Sequence, residues 1–187
     1  MRLSKPRIAP LADAELDAAQ TEALAAFRPG PVLNIFRTLV HAPKALTRFN
    51  SWGGYVLSRR NDLPAREREI VILRTGFLCK SGYEWTQHHR IGLQSGLTED
   101  EIARVKEGAE AGWSAADAAL IRATDELHQD QFVTDPTWAE LRRHFSEKQC
   151  MDVVFTAGQY TQVSMMLNTF GVQLDQGQTL DPDLKGF

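Results

Sequence analysis

Apolar residues along this chain recur at intervals of three and four rather than two, with proline and glycine between the runs, so the pattern predicts helices throughout and no strand. A first helix is expected over residues 12–27, where Leu16, Ala19, Ala23 and Phe27 share a face before Arg28-Pro29-Gly30-Pro31 ends it. Two more are expected over 32–40 and 44–58, separated by Ala42-Pro43; the second carries Leu46, Phe49, Trp52 and Val56, with a weak point at Gly53-Gly54. Asn61-Asp62-Leu63-Pro64 then reads as a start signal for a helix over 64–79, in which Ile70, Leu73 and Phe77 form an apolar stripe. Glu69, four before Leu73, falls beside that stripe instead of on the far side.

A helix over 82–94 follows, carrying Tyr83, Glu84, Gln87, His88 and Ile91 and stopping at Ser95-Gly96. Thr98 and Glu101 have capping-box spacing for a helix over 99–106, Ser114 caps one that runs through Leu127, and Thr134-Asp135-Pro136 opens a short one reaching His144. The longest is expected over 148–173, interleaving Met151, Phe155, Met165 and Met166 with Ala157, Thr161, Ser164 and Asn168. The polar, Gly/Pro-punctuated residues 174–187 read as a surface tail that packs on something or frays.

At 187 residues and 43% hydrophobic content the chain suits one domain burying about 70% of its unfolded surface: an N-terminal helical arm (1–60), core helices (61–173) and the tail (174–187). The net charge of −3 and pI near 6.0, without a basic cluster, argue against nucleic acid or an anionic membrane as partner. No apolar region follows the N-terminal charges and no run approaches the ~18 apolar residues of a membrane span, so a cytoplasmic protein is expected. Cys79 and Cys150 lack C-x-x-C spacing, which removes zinc knuckles and dithiol redox motifs.

Reactive side chains are densest between Cys79 and Arg90. Glu84 and His88, four apart, neighbour each other on a helix, where a carboxylate fixes the imidazole's tautomer and raises its basicity. If the preceding helix packs antiparallel, Glu69 reaches the same imidazole, and two carboxylates around it push one carboxyl pKa up, as an acid working near neutrality requires. The same spacing also occurs on solvated helix faces. Tyr83 and Trp85 flank Glu84 and suggest a substrate pocket that the Trp52 helix covers, although large rings fill cores regardless of function. His89 turns about 100° from His88, and His41, His128 and His144 read as surface or capping residues. Glu69, Glu84 and His88 supply only one imidazole, so no metal is expected. Cys79 precedes the Glu/His helix, and a place at that helix's N-terminus would favour its thiolate.

The stretch from Arg60 through Arg74, with "REREIVILRTG", followed by "YEWTQHHRIGL" and "GLTEDEI", resembles the carboxymuconolactone decarboxylase family, which includes alkylhydroperoxidase-D-like (AhpD-like) proteins. The resemblance is closest over residues 61–105. It implies an all-α, AhpD-like fold in which an antiparallel helix pair carries the site, and a homo-oligomer: dimer, trimer or hexamer. In the peroxidase branch the motif is a Glu followed by C-x-x-C-x-x-x-H. Here His88 stands at the motif histidine, Ser81 and Glu84 stand where the cysteines would be, and Glu69, twelve before Ser81, stands at the upstream Glu.

The acid–base half is present and the dithiol is missing; serine and glutamate cannot reduce a hydroperoxide. The resemblance thus implies decarboxylase-type chemistry without a cofactor, on a small lactone or cyclic acid from aromatic catabolism. His88 would be the general acid/base, Glu84 its orienting group and Glu69 a second carboxylate, with Tyr83, Trp85 and Ser81 as substrate contacts and Arg74 or Arg90 as candidate carboxylate clamps. Two alternatives stand beside it: a peroxiredoxin-like antioxidant protein working through Cys79, and a non-catalytic helical binding or assembly protein.

Overall fold

The computed structural model describes residues 1–186, and all regular secondary structure within them is helical. The N-terminal third holds α1 (Ala18–Leu24), α2 (Asn34–Leu39) and α3 (Pro43–Val56). Then come α4 (Ala65–Leu78), α5 (Gly82–Gln94), α6 (Glu99–Val105), α7 (Ala115–Asp130), α8 (Asp135–His144) and α9 (Glu147–Phe170), with 3-10 turns at Asp13–Glu15, Ala25–Phe27 and Pro182–Leu184.

Two expected helices are corrected by local chemistry. The region 12–27 is not one helix: Leu16 is extended, and Asp17 starts α1 afresh by accepting from Gln20 N in a reciprocal capping box. Leu16, Ala23 and Phe27 still pack together with Leu24, Val40 and Leu46. The last helix stops three residues early, at Gly171, whose left-handed φ of 71° lets Val172 N donate back to Leu167 O at 3.0 Å. Thr98 and Glu101 do form the capping box of α6.

Helix α4 differs most from an amphipathic reading. Every residue from Glu69 to Gly76 is buried, because α5, α7 and α9 pack around it and α6 closes a further side. The four consecutive apolar residues Ile70-Val71-Ile72-Leu73 cover every face of one turn, as a central helix requires. The two charged residues of the buried stretch are paired: Glu69 with His88, and Arg74, which donates to Asp125 Oδ1 at 2.6 Å and to the carbonyls of Val105 and Lys106.

The tail is anchored. The Met1 ammonium donates to Leu184 O at 3.0 Å, Leu184 is buried, and Lys106 Nζ bridges Asp181 and Asp183 at 2.7 Å each. No helix of the described residues is long and apolar enough to cross a membrane.

Candidate active site

Helices α4 and α5 are joined by only Cys79, Lys80 and Ser81, and Ser81 N donates to Gly76 O at 2.9 Å, so α5 begins directly against the end of α4. At Gly76 the two helices run close together: a Cβ there would stand in van der Waals contact, 3.4 Å from Glu84 Cγ. This packing brings three groups together. His88 Nδ1 lies 2.7 Å from Glu69 Oε2 across the helix pair, and His88 Nε2 lies 3.0 Å from Glu84 Oε1 one turn away. All three are buried, Glu69 at 1% exposure, Glu84 at 4% and His88 at 6%.

The two contacts are unequal. The short approach of Nδ1 to Glu69 puts the ring N–H there as a donor and leaves Nε2 on the other side. Glu84 Oε1 is near Nε2 but makes no aligned hydrogen bond with it. Burial works against a charged imidazole, but the adjacent carboxylates of Glu69 and Glu84 outweigh it and raise the His88 pKa. Burial pushes the Glu84 carboxyl up to about 7, with His88 opposing and Glu69 reinforcing the rise. The imidazole and the Glu84 carboxyl facing it are thus both pushed toward their protonated forms.

His88 and Glu84 line a cavity of about 240 Å³. Its apolar wall comes from Leu33, Ile35, Phe36, Phe49, Ile91 and Val163; Tyr83, Gln87, Arg90, Gln159 and Tyr160 add polar groups. The Tyr160 ring stands edge-on to His88, centroids 4.9 Å apart, and burial followed by the nearby Glu84 and Glu69 charges keeps its phenol protonated. Tyr83 OH donates to Asp175 Oδ2 at 2.6 Å, Gln87 Nε2 donates to the same oxygen at 2.7 Å, and Asp175 Oδ1 accepts from Asn34 N at 2.8 Å. A tail carboxylate thereby fixes two α5 side chains and the start of α2.

Of the residues singled out by sequence, Glu69, Glu84 and His88 converge, and Tyr83 and Arg90 join them at the cavity. Trp85 and Ser81 do not line it. Trp85 points into the core, against Phe77 and beneath the Lys106 ammonium, and Ser81 is fully buried at the start of α5. Helix α3 covers the cavity through Phe49, Asn50 and Gly53, whereas Trp52 faces outward against Tyr55 and Phe155. Arg74 is consumed by its structural partners. Cys79 closes α4 and does not lie at the α5 N-terminus; its Sγ is 3.8 Å from His128 Nδ1 in a separate pocket with Arg2, Arg7 and Asn168. Burial raises its thiol pKa. Among the described residues no group of three or more His, Cys, Asp or Glu is arranged to hold a metal ion.

Sequence reasoning missed Gln159, Tyr160 and Asp175. The first two lie in an α9 stretch with no charged residue after Asp152, so a tyrosine next to a buried glutamine was the available signal; Asp175 gave none.

The sequence profile of the carboxymuconolactone decarboxylase family covers α3 to most of α7. Residues 43–126 match that family. The resemblance drawn from "REREIVILRTG" and "YEWTQHHRIGL" is borne out, and the family segment contains Glu69, Cys79, Glu84 and His88. Gln159, Tyr160, Asp175 and the α2 wall lie outside it.

Solved structures agree on the fold. An uncharacterized peroxidase-related protein from Ralstonia eutropha JMP134 with an alkylhydroperoxidase AhpD core aligns at a TM-score of 0.77 and 19% identity, over 90% of this chain and 93% of that one. A protein of unknown function from Agrobacterium tumefaciens, proposed as an antioxidant-defence AhpD, aligns at 0.68 and 18%, over 73% and 94%. The debrominase Bmp8, solved as a cysteine-to-alanine variant with 2,3,4-tribromopyrrole, aligns at 0.70 and 12%, over 92% and 94%. The fold is all-helical and AhpD-like. No curated protein matches the chain.

Proposed function

We propose that the protein is a cofactor-independent acid–base enzyme acting on a small cyclic acid, by decarboxylation or lactone conversion. The observation that carries this reading is His88, buried between Glu69 and Glu84 at the wall of a 240 Å³ cavity. In a decarboxylation the C–C bond to the carboxylate breaks, carbon dioxide leaves, and the electron pair remains as an enolate. His88 Nε2–H then delivers its proton to that carbon, while Glu69 holds the other ring nitrogen and compensates the imidazolium charge. Glu84, carrying its proton near neutrality, restores Nε2. Tyr83, Gln87 and Tyr160 stand where they can orient the ring. Arg90, exposed at the cavity and free of the ties that hold Arg74, is the group suited to a carboxylate at the mouth. The proposed roles of Trp85 and Ser81 become support of α5 rather than substrate contact.

The test is a screen of lactones and cyclic keto acids with the wild type and His88→Gln. Turnover by the wild type that survives His88→Gln unchanged would remove the proposal.

A thiol peroxidase reading through Cys79 has one supporting observation, the nearby His128 imidazole. Its thiol is separate from the Glu/His cavity and its pKa is raised, both of which favour the acid–base reading. Exposed Met151, Val154 and Met165 along α9 support the homo-oligomer implied by the family, which light scattering measures. A cytoplasmic location remains part of this proposal.

A further inference from the structure

Helix α3 carries two adjacent glycines, Gly53 and Gly54, where alanine would favour the helix more. The usual reasons for glycine do not apply to them. Both are helical and neither has a positive φ, so the backbone does not require them. They do not end the helix either: α3 continues through Val56, and its cap, Leu57, is right-handed. Packing makes no demand at Gly54, where an added Cβ would have no neighbour within 4 Å, and at Gly53 one would stand in ordinary contact with the Gln159 carboxamide at 3.4 Å.

What the two glycines share is a place at the cavity beside His88. Asn50, Gly54 and Leu57, spaced i, i+4 and i+7, lie on one face of α3, and all three line that cavity. Among its lining residues Gly54, Leu57 and Arg90 are exposed, whereas Glu84, His88, Tyr160 and Val163 are buried. The mouth therefore lies between the last turn of α3 and Arg90 of α5, and Gly54 leaves its α3 rim bare. The cavity's 240 Å³ is below the roughly 300 Å³ at which pockets for drug-sized ligands begin and above the ~150 Å³ that holds a benzene ring, so one added side chain changes what fits.

We propose that Gly54 is a specificity-determining residue: the bare turn of α3 across from Arg90 is the doorway to His88 and the wall on which the ring of a cyclic acid rests. The absent side chain sets how wide a ring is admitted. Glycine lets a ligand lie directly against the helix backbone, a use that offsets its cost to the helix. The inference rests on the acid–base reading of this cavity and adds the residue that limits substrate size.

Titration of the intact protein with benzoate and 2-naphthoate, which set one ring or two on the same carboxylate, tests this by ligand-observed NMR. Wild type is expected to bind benzoate about fivefold or more tightly than 2-naphthoate, Gly54→Ala to weaken benzoate about threefold, and Gly54→Leu to weaken it about tenfold or more. Without ligand, Gly54→Ala is expected to melt about 1–3 °C higher, because the helix gains and no packing is lost. Gly158→Ala is the control: Gly158 is also inside a helix with open space at its Cβ, but it does not line this cavity, and benzoate affinity is expected to stay at the wild-type value. Wild type that binds no benzoate or binds 2-naphthoate equally well, Gly54→Leu within about twofold of wild type, lower melting of Gly54→Ala, or equal weakening by Gly158→Ala overturns the proposal. So does a changed subunit number for Gly54→Leu in light scattering, which would make the bare turn a seat for a second copy. Binding needs no turnover, so the two readings fail separately: benzoate affinity indifferent to Gly54→Leu leaves His88 chemistry standing, and unchanged turnover in His88→Gln leaves the doorway standing.

Discussion

Two places in this molecule set a histidine against a partner able to do chemistry, and their surroundings differ. At His88 the imidazole is buried, held at Nδ1 by the Glu69 carboxylate, approached at Nε2 by the Glu84 carboxyl and packed edge-on against Tyr160. At His128 the partner is the Cys79 thiol at 3.8 Å, in a pocket of about 570 Å³ open to Arg2 and Arg7, with the thiol pKa raised by burial. The first arrangement is the one suited to holding and orienting a proton. The second leaves the thiol mostly protonated, the form that is neither nucleophile nor metal ligand. Proximity of reactive atoms is common to both, and preorganised charge belongs only to the first.

The largest effect that separates them is on turnover. His88→Gln is expected to lower kcat on an accepted cyclic acid by about 10²- to 10⁴-fold, the range of a lost general acid, with the helical circular dichroism unchanged. The same substitution at His128 is expected to leave kcat within about twofold.

Next in size is the pH dependence of stability. Glu84, ordinarily near 4.5, is pushed up to about 7, and His88 is raised above its usual 6.5. Both hold protons more tightly folded than unfolded. The stability they contribute is therefore full below about pH 4.5 for Glu84 and below about 6.5 for His88, and is lost as pH rises through their folded values. Urea denaturation at pH 5 and pH 8 is expected to show a Glu84 contribution on the order of 3 kcal/mol that disappears in Glu84→Gln. A slope that persists in that variant would place its origin elsewhere.

Asp175→Asn sharpens the contrast from the tail. Losing a carboxylate that accepts from Tyr83, Gln87 and Asn34 is expected to cost about 2 kcal/mol of stability and to raise KM more than it lowers kcat, while maleimide labelling of Cys79 proceeds at its original rate. The smallest effect belongs to Cys79→Ser. Turnover at His88 is expected to stay within about twofold, and peroxide consumption to be unchanged from the wild type.

How far the sequence reaches follows from what each signal measures. Helix starts at Glu99, Ala115 and Asp135 were legible because capping residues and prolines act locally. The break at Asp17 was equally local and was overlooked under an apolar stripe that survives it. The convergence of Glu69, Glu84 and His88 followed from helix periodicity plus the short α4–α5 turn. Which of Tyr83 and Trp85 faces the cavity did not, since both are large, buried rings two residues apart, and the packing of α6, α7 and the tail decides between them. Gln159, Tyr160 and Asp175 are brought in by contacts 71 or more positions away from His88, beyond any periodicity.

That Asp175 lies beyond the family segment has a practical consequence for protein engineering. A chimera built by transplanting only residues 43–126 into a related scaffold inherits Glu69, Glu84 and His88 but leaves behind the carboxylate that braces Tyr83 and Gln87, and with it the shape of the chamber. Recombination that aims to exchange the cavity among such proteins has to carry α9 from Gln159 onward and the following loop as cargo, or supply an equivalent brace from the recipient.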